Sequence, residues 1–357
     1  MSRRLEELSI LNVLFCLLVV LIHVLSQTVI SLERSSWQYA LVLIVQRLSF
    51  VSVPGFFFLS GLKLTLPRAR PQPLARYYLG RAKTLLLPYL LAAAVYYLYF
   101  VAIGWYAFSP AQFLRETALG TLSAPFYFLV ALVQFILLAP LFQWLARLYH
   151  PVLLLPLALG ITWLSALYFN SILQLFVPGA AFSYSDRVFT TYLVYYLAGC
   201  CAGTRYPAFL ALLEDSRSLL NAAALFFGAA DAAVSVLLFS GRRAAPFLEL
   251  VHTLYILSAI PVLFAWALRH KSLLQGVPGR LLGPVDRASY LIYLYHCLVI
   301  TEFNRRAPQL VGTRASVLLL LRIVVVYPVT IAGCVLWQRL RAAVKRQFSS
   351  GASGRTG

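Results

Sequence analysis

Charge is what this sequence has least of. Only 11% of its 357 residues are Asp, Glu, Lys or Arg, 61% are hydrophobic, and the mean hydropathy is +0.81. A soluble domain cannot hide that much apolar surface, so an ordinary globular enzyme is excluded. Acids are the scarcer sign: 11 Asp and Glu stand against 30 Lys and Arg, for a formal net charge of +19. Such a balance can signal nucleic acid, but here the cations sit in short loops between apolar runs, which argues against that partner. The five cysteines, Cys16, Cys200, Cys201, Cys297 and Cys334, fall in apolar segments without disulfide-framework or metal spacing, so they read as small packing residues. No metal or bound cofactor is expected. No small-residue cleavage site follows the first apolar run, so no signal peptide is expected. No internal repeat is visible, and with it the inverted halves of many secondary transporters are missing. Gly-x-Ser-x-Gly elbows and phosphate-cradling glycine loops are absent too.

What is present is a succession of long apolar runs. They predict an all-α polytopic membrane protein of about ten transmembrane helices, near 8–29, 38–65, 84–104, 124–146, 151–169, 188–204, 218–240, 246–268, 288–303 and 314–338. One transmembrane domain is expected over 1–342. The small, polar stretch 343–357 is expected to be a disordered cytoplasmic tail. Placing the N-terminus inside puts the larger share of loop Lys and Arg in the cytoplasm, so both termini are expected there. The predicted location is the cell membrane, with many passes.

Ionisable groups inside such runs are costly and are site hypotheses by default. His23 lies in the first run, Leu8–Val29, and Asn12 precedes it by about three turns on the same helical face. Arg47 and Lys63 fall in the second run, Glu249 and His252 three apart in the eighth, His296 in the ninth and Arg322 in the tenth. At about 1.5 Å per residue most of these lie in the outer half of the bilayer, which predicts a polar chamber opening outward. Asp231 and Arg322 read as ion-pair partners, and GCCAG, Gly199–Gly203, as a close helix contact. For each histidine a plain helix-to-helix hydrogen bond remains the competing reading. The loop Pro67–Lys83 holds Arg68, Arg70, Arg76, Arg81 and Lys83 and no acid. It reads as positive-inside bias and attraction to anionic lipid, or as a landing site for the phosphates of an acyl-CoA.

These residues resemble acyltransferase family 3, the bacterial integral membrane O-acyltransferases. QRLSFVSVPGFFFLSGLKL, Gln46–Leu64, is similar to that family's second helix, with an arginine, a proline, aromatics and Ser-Gly. FYFLVALVQFILLAPLF, Phe126–Phe142, and RASYLIYLYHCLVI, Arg287–Ile300, resemble later helices. The first segment matches the family's arginine, ten residues, histidine pattern at His23, but Asn12 stands where the arginine belongs. Within the family, IHVLSQTVIS and Tyr192–Glu214 look most like the membrane protein of intercellular-adhesin operons, which make the biofilm polymer poly-β-1,6-N-acetylglucosamine. That branch is described both as an O-succinyltransferase and as an exporter.

The resemblance implies transfer of an acetyl or succinyl group from cytoplasmic acyl-CoA to a hydroxyl of an exopolysaccharide or other glycan outside. His23, Arg47 and His296 would be catalytic, with His23 as general base and Arg47 and Ser60 at the developing oxyanion. Asn12, Ser60, Glu249 and His252 would bind substrate. The rival expectation is a polysaccharide export component without bond chemistry. A third makes the protein a structural partner of a membrane glycosyltransferase.

Overall fold

The structure is a computed structural model that describes residues 5–67, 73–241, 247–312 and 314–353. Regular structure among them is entirely helical. The helices are α1 (Glu6–Ser31), α2 (Trp37–Ser49), α3 (Ser52–Thr65), α4 (Leu74–Arg81), α5 (Leu87–Ala102), α6 (Pro110–Leu119), α7 (Tyr127–Leu137) and α8 (Ala139–Leu148). They continue with α9 (Pro151–Phe176), α10 (Leu193–Thr204), α11 (Tyr206–Asp215), α12 (Arg217–Phe239), α13 (Leu248–Arg269), α14 (Gly276–Val311) and α15 (Ala315–Ser353). The expected all-α polytopic membrane protein is what is found.

Seven helical stretches among the described residues are long and apolar enough to cross a membrane. They become eight if α6 and the stretch Ala124–Leu137, bent by 62°, form one broken span. The expected runs differ from these in physically simple ways. The run 188–204 falls on α10, which is only 12 residues long. The run 288–303 lies inside α14, whose 36 residues carry Arg280, Asp286 and Arg287 before it and Glu302, Arg305 and Arg306 at its far end. The run 124–146 is divided at Leu138, where Pro140 opens α8. α15 carries on past the expected run 314–338 to Ser353, so most of the stretch 343–357, expected to be a disordered tail, continues the helix.

The chain divides into two compact units, residues 1–32 with 267–357, and residues 33–266. In the first unit α1 packs against α14 and α15. α1 has neither Gly nor Pro, its first turn carries Glu6 and Glu7 where the helix dipole favours acids, and Phe15, Cys16 and Val24 are fully buried. Glu7 at its start pairs with Lys271 Nζ at 3.1 Å. Tyr327 on α15 donates to the Leu17 carbonyl at 2.8 Å, tying α15 to the middle of α1.

In the second unit Ser36 caps α2 by accepting from the Tyr39 N–H at 3.2 Å. Pro54 has no N–H to offer the Phe50 carbonyl, and the chain breaks at Phe50–Val51 before α3 resumes the same path. α3 then lies hard against α10. A Cβ on Gly199 would run into the Phe58 carbonyl, and one on Gly61 into the Tyr196 carbonyl. Thr65 Oγ1 donates to the Cys200 carbonyl at 2.8 Å across the same seam. The GCCAG stretch is therefore the close helix contact its small residues predict.

Candidate functional site

In the first unit, His23 and His296 meet. α1 and α14 bring the two rings to a centroid separation of 5.2 Å at 44°. His296 is fully buried, and its Nδ1 lies 3.0 Å from the Ile292 carbonyl, one turn back on α14. A carbonyl only accepts, so Nδ1 carries the proton of the neutral ring and Nε2 carries the lone pair. Nε2 is itself buried and has no hydrogen-bond partner among the described residues. A buried acceptor left open in this way is costly. It is the arrangement a proton-accepting imidazole needs, with tautomer and ring plane set by one nitrogen and the other kept for substrate. The His23 side chain makes no hydrogen bond among the described residues and is half-buried.

Cys297 adjoins this pair. One nitrogen of each ring and Cys297 Sγ lie within 4.8 Å of one another. Two imidazoles and a thiol are donors that suit a borderline ion such as zinc. Asn12 sits on the same helix as His23, nearer the N-terminus. Its Nδ2 donates to Asp286 Oδ1 at 2.7 Å and lies 2.7 Å from Ser289 Oγ, so its amide stitches α1 to the first part of α14.

Arg322 also belongs to the first unit and differs from its expected role. In place of the expected ion pair, no carboxylate pairs with it among the described residues. Nε donates to Asn304 Oδ1 at 2.9 Å, and Nη1 donates to the Val24 carbonyl and to Thr28 Oγ1, both at 3.1 Å.

The second unit holds a separate charged cluster. Asp231 on α12 is completely buried and takes Arg47 Nε on Oδ1 at 3.1 Å and His252 Nδ1 on Oδ2 at 2.8 Å. Arg47 Nη2 stands 3.8 Å from Glu249 Oε1 and has no hydrogen bond among the described residues. Tyr255 donates to the Leu48 carbonyl at 2.9 Å and Tyr39 to the Phe239 carbonyl at 3.3 Å, so α2, α12 and α13 are laced around the carboxylate. Glu249 is exposed although it lies three residues from buried His252. Asp231 is thus the hub of this cluster. Its signal in the sequence was its being the sole acid within the run 218–240.

The structure therefore joins His23 to His296 in one unit, and Arg47 to Asp231, His252 and Glu249 in the other. Ser60 is half-buried on α3 without a hydrogen bond among the described residues. Arg76 and Lys83 are exposed, and the Arg81 guanidinium lies 5.3 Å over the Tyr77 ring. Arg68 and Arg70 lie outside the described residues.

No solved structure is significantly similar to the chain. One curated relative is the Bacillus subtilis (strain 168) protein named "Putative membrane-bound acyltransferase YfiQ". It is 27% identical over 241 residues, which cover 65% of this chain and 65% of the relative. The chain thus spans somewhat less than two thirds of that relative's length. A family model described as an acyltransferase domain, that of acyltransferase family 3, matches residues 5–338. That stretch runs from the start of α1 well into α15 and takes in His23, His296 and both clusters, so this multi-pass membrane protein belongs to acyltransferase family 3.

Proposed function

We propose that the protein is a membrane O-acyltransferase that uses the His23–His296 pair to move an acyl group from acyl-CoA to a hydroxyl of a glycan on the other side of the bilayer. One observation carries the reading: His296 Nδ1 is committed to the Ile292 carbonyl while Nε2, buried beside His23, is left open. A structural histidine would satisfy both nitrogens.

The acceptor hydroxyl gives its proton to an imidazole as its oxygen bonds to the thioester carbonyl. Collapse of the tetrahedral intermediate breaks the C–S bond, and the same proton passes to the departing thiolate. The products are an ester and the free thiol of CoA. The second imidazole, a ring's width away, relays the proton or orients the hydroxyl. The exposed cations Arg76 and Lys83 suit the phosphates of CoA at the surface. Acetyl and succinyl are the acyl groups proposed, and poly-N-acetylglucosamine or a related exopolysaccharide the acceptor. A membrane glycosyltransferase making that polymer is the proposed partner.

The test is direct. Purified protein is given acetyl-CoA or succinyl-CoA with β-1,6-linked N-acetylglucosamine oligomers, and products are read by mass spectrometry. An acyl mass gain that disappears in His23→Ala supports the reading. Full activity in that variant refutes it. A polysaccharide export role is favoured by one observation: the amide of Asn12 is spent on Asp286 and Ser289, and position 12 brings no cation. Export predicts translocation into vesicles without any mass gain.

A further inference from the structure

Among the described residues Arg322 is a cation buried without an anion. It is 2% exposed, lies in an apolar helix, and its bonds there go to neutral acceptors: the Asn304 amide oxygen, the Val24 carbonyl and the Thr28 hydroxyl. The Phe303 ring, 5.6 Å from its central carbon, adds a fourth neutral contact. The contrast with Arg47, which faces two carboxylates, is plain. Burying a guanidinium is costly, and neutral acceptors offset that cost only in part. Nε and Nη1 are engaged, whereas both N–H groups of Nη2 receive no acceptor among the described residues. The held half of the guanidinium fixes its plane, and the other half is presented to whatever lies beside it. A planar fork of this kind matches a carboxylate.

Its place along α1 gives the second argument. Val24 directly follows His23, and Thr28 lies one turn further, on the side of His23 away from Asn12. At about 1.5 Å per residue these anchors stand roughly 2–8 Å beyond His23 along the helix. Three carbon–carbon bonds of about 1.5 Å put the far carboxylate of a four-carbon diacyl group about 4 Å from its reacting carbonyl. That length matches the offset of Arg322's anchors from His23 along the axis of α1.

We infer that Arg322 is a carboxylate receptor at the reaction site, and that one of the two substrates carries a carboxylate: the acyl group, as in a dicarboxylic acyl-CoA, or the acceptor, as in an acidic sugar. The inference rests on acyl transfer at the His23–His296 pair for its place in catalysis. The receptor itself rests on Arg322 and its partners alone.

Two measurements test it. In the first, kcat/KM is measured for acetyl-CoA and succinyl-CoA, each with a neutral and a uronate-bearing oligosaccharide, in the wild type, Arg322→Gln and Arg322→Lys. The expected result is a fall of at least about tenfold in preference for the carboxylate-bearing substrate in Arg322→Gln, with Arg322→Lys between. A fall confined to the donor comparison places the carboxylate on the acyl group, and one confined to the acceptor comparison places it on the glycan. Preferences that stay unchanged overturn the receptor. In the second, thermal unfolding of the wild type in detergent is followed with succinate or glucuronate against chloride at equal ionic strength. A rise in Tm with either carboxylate, lost in Arg322→Gln, supports the receptor even if no acyl transfer is found. No rise in the wild type overturns it and leaves acyl transfer standing. If Arg322→Gln does not fold, the wild-type Tm with carboxylate and the preferences of Arg322→Lys decide between the same two outcomes.

Discussion

Removing the carboxylate of Asp231 strikes the second unit at its most exposed thermodynamic point. Asp231 is completely buried, and the side chains of Arg47 and His252 are each 11% exposed. Asp231→Ala leaves a buried guanidinium whose remaining acidic partner among the described residues is Glu249, at 3.8 Å and 47% exposed, where water screens it. Breaking a buried pair by deleting one partner costs about 3–5 kcal/mol. The partial compensation from Glu249 places Asp231→Ala near the lower end, about 3 kcal/mol. At roughly 2 °C per kcal/mol for a chain of this size, Tm in detergent should fall by about 6 °C. The diagnostic is the double variant with Arg47→Met, which removes the stranded cation. It should recover more than half of the loss, a coupling of at least about 1.5 kcal/mol. Strict additivity of the two changes would refute the claim that Asp231 and Arg47 stabilise the unit as a pair.

Three further outcomes are expected. His296→Asn can keep the bond to the Ile292 carbonyl while removing the basic nitrogen, so kcat for acyl transfer should fall about hundredfold or more with Tm nearly unchanged; retained turnover would eliminate His296 as a proton carrier. Gly199→Val pushes a side chain into the Phe58 carbonyl, which as backbone cannot swing aside, so it should cost about 3 kcal/mol or prevent folding, as scored by Tm and yield. Gly160→Val, where a Cβ meets nothing within 4 Å, is its control, and equal loss in both would show that the α3–α10 seam is not the cause. Micromolar Zn2+ should inhibit transfer by bridging His23, His296 and Cys297, and Cys297→Ser should weaken that inhibition about tenfold or more in a dose–response assay. Inhibition equal in both proteins would place the ion elsewhere.

Hydropathy and polar spacing made the fold class legible, because a helix is the cheapest way to satisfy a backbone in hydrocarbon. Run boundaries were less legible for a definite reason. In α14 one continuous helix carries charged ends through and beyond the expected run 288–303, so its apolar centre looks like a short span and its true length of 36 residues does not show. His23 and His296 were each visible as costly buried groups, but their meeting was not. They are far apart in sequence, and helical periodicity orders residues on one helix without saying which helices face each other. Glu249 and His252 show a different limit. Their spacing of three predicts one shared face, and both turn toward the Arg47–Asp231 cluster, but spacing does not set depth: His252 reaches buried Asp231 while Glu249 stays exposed, 3.8 Å from Arg47.

A charge buried in an apolar run is costly wherever it falls, and its partners decide how much of that cost is offset. Arg47 is held by acids, so its burial stabilises the protein once Asp231 is present. Arg322 is held by an amide, a hydroxyl and a carbonyl, so the same burial leaves a charge without a counter-ion among the described residues. Asn12 completes the comparison. Where the resemblance implies an arginine, this chain places a neutral amide that satisfies Asp286 and Ser289 without adding a cation. Along α1 the N-terminal side of His23 is therefore neutral at position 12, and an uncompensated positive charge stands on the other side, against Val24 and Thr28. A field of that sense draws an anionic group past His23 toward Arg322, so the anion the reaction needs is expected at the far end of the acyl chain or on the acceptor.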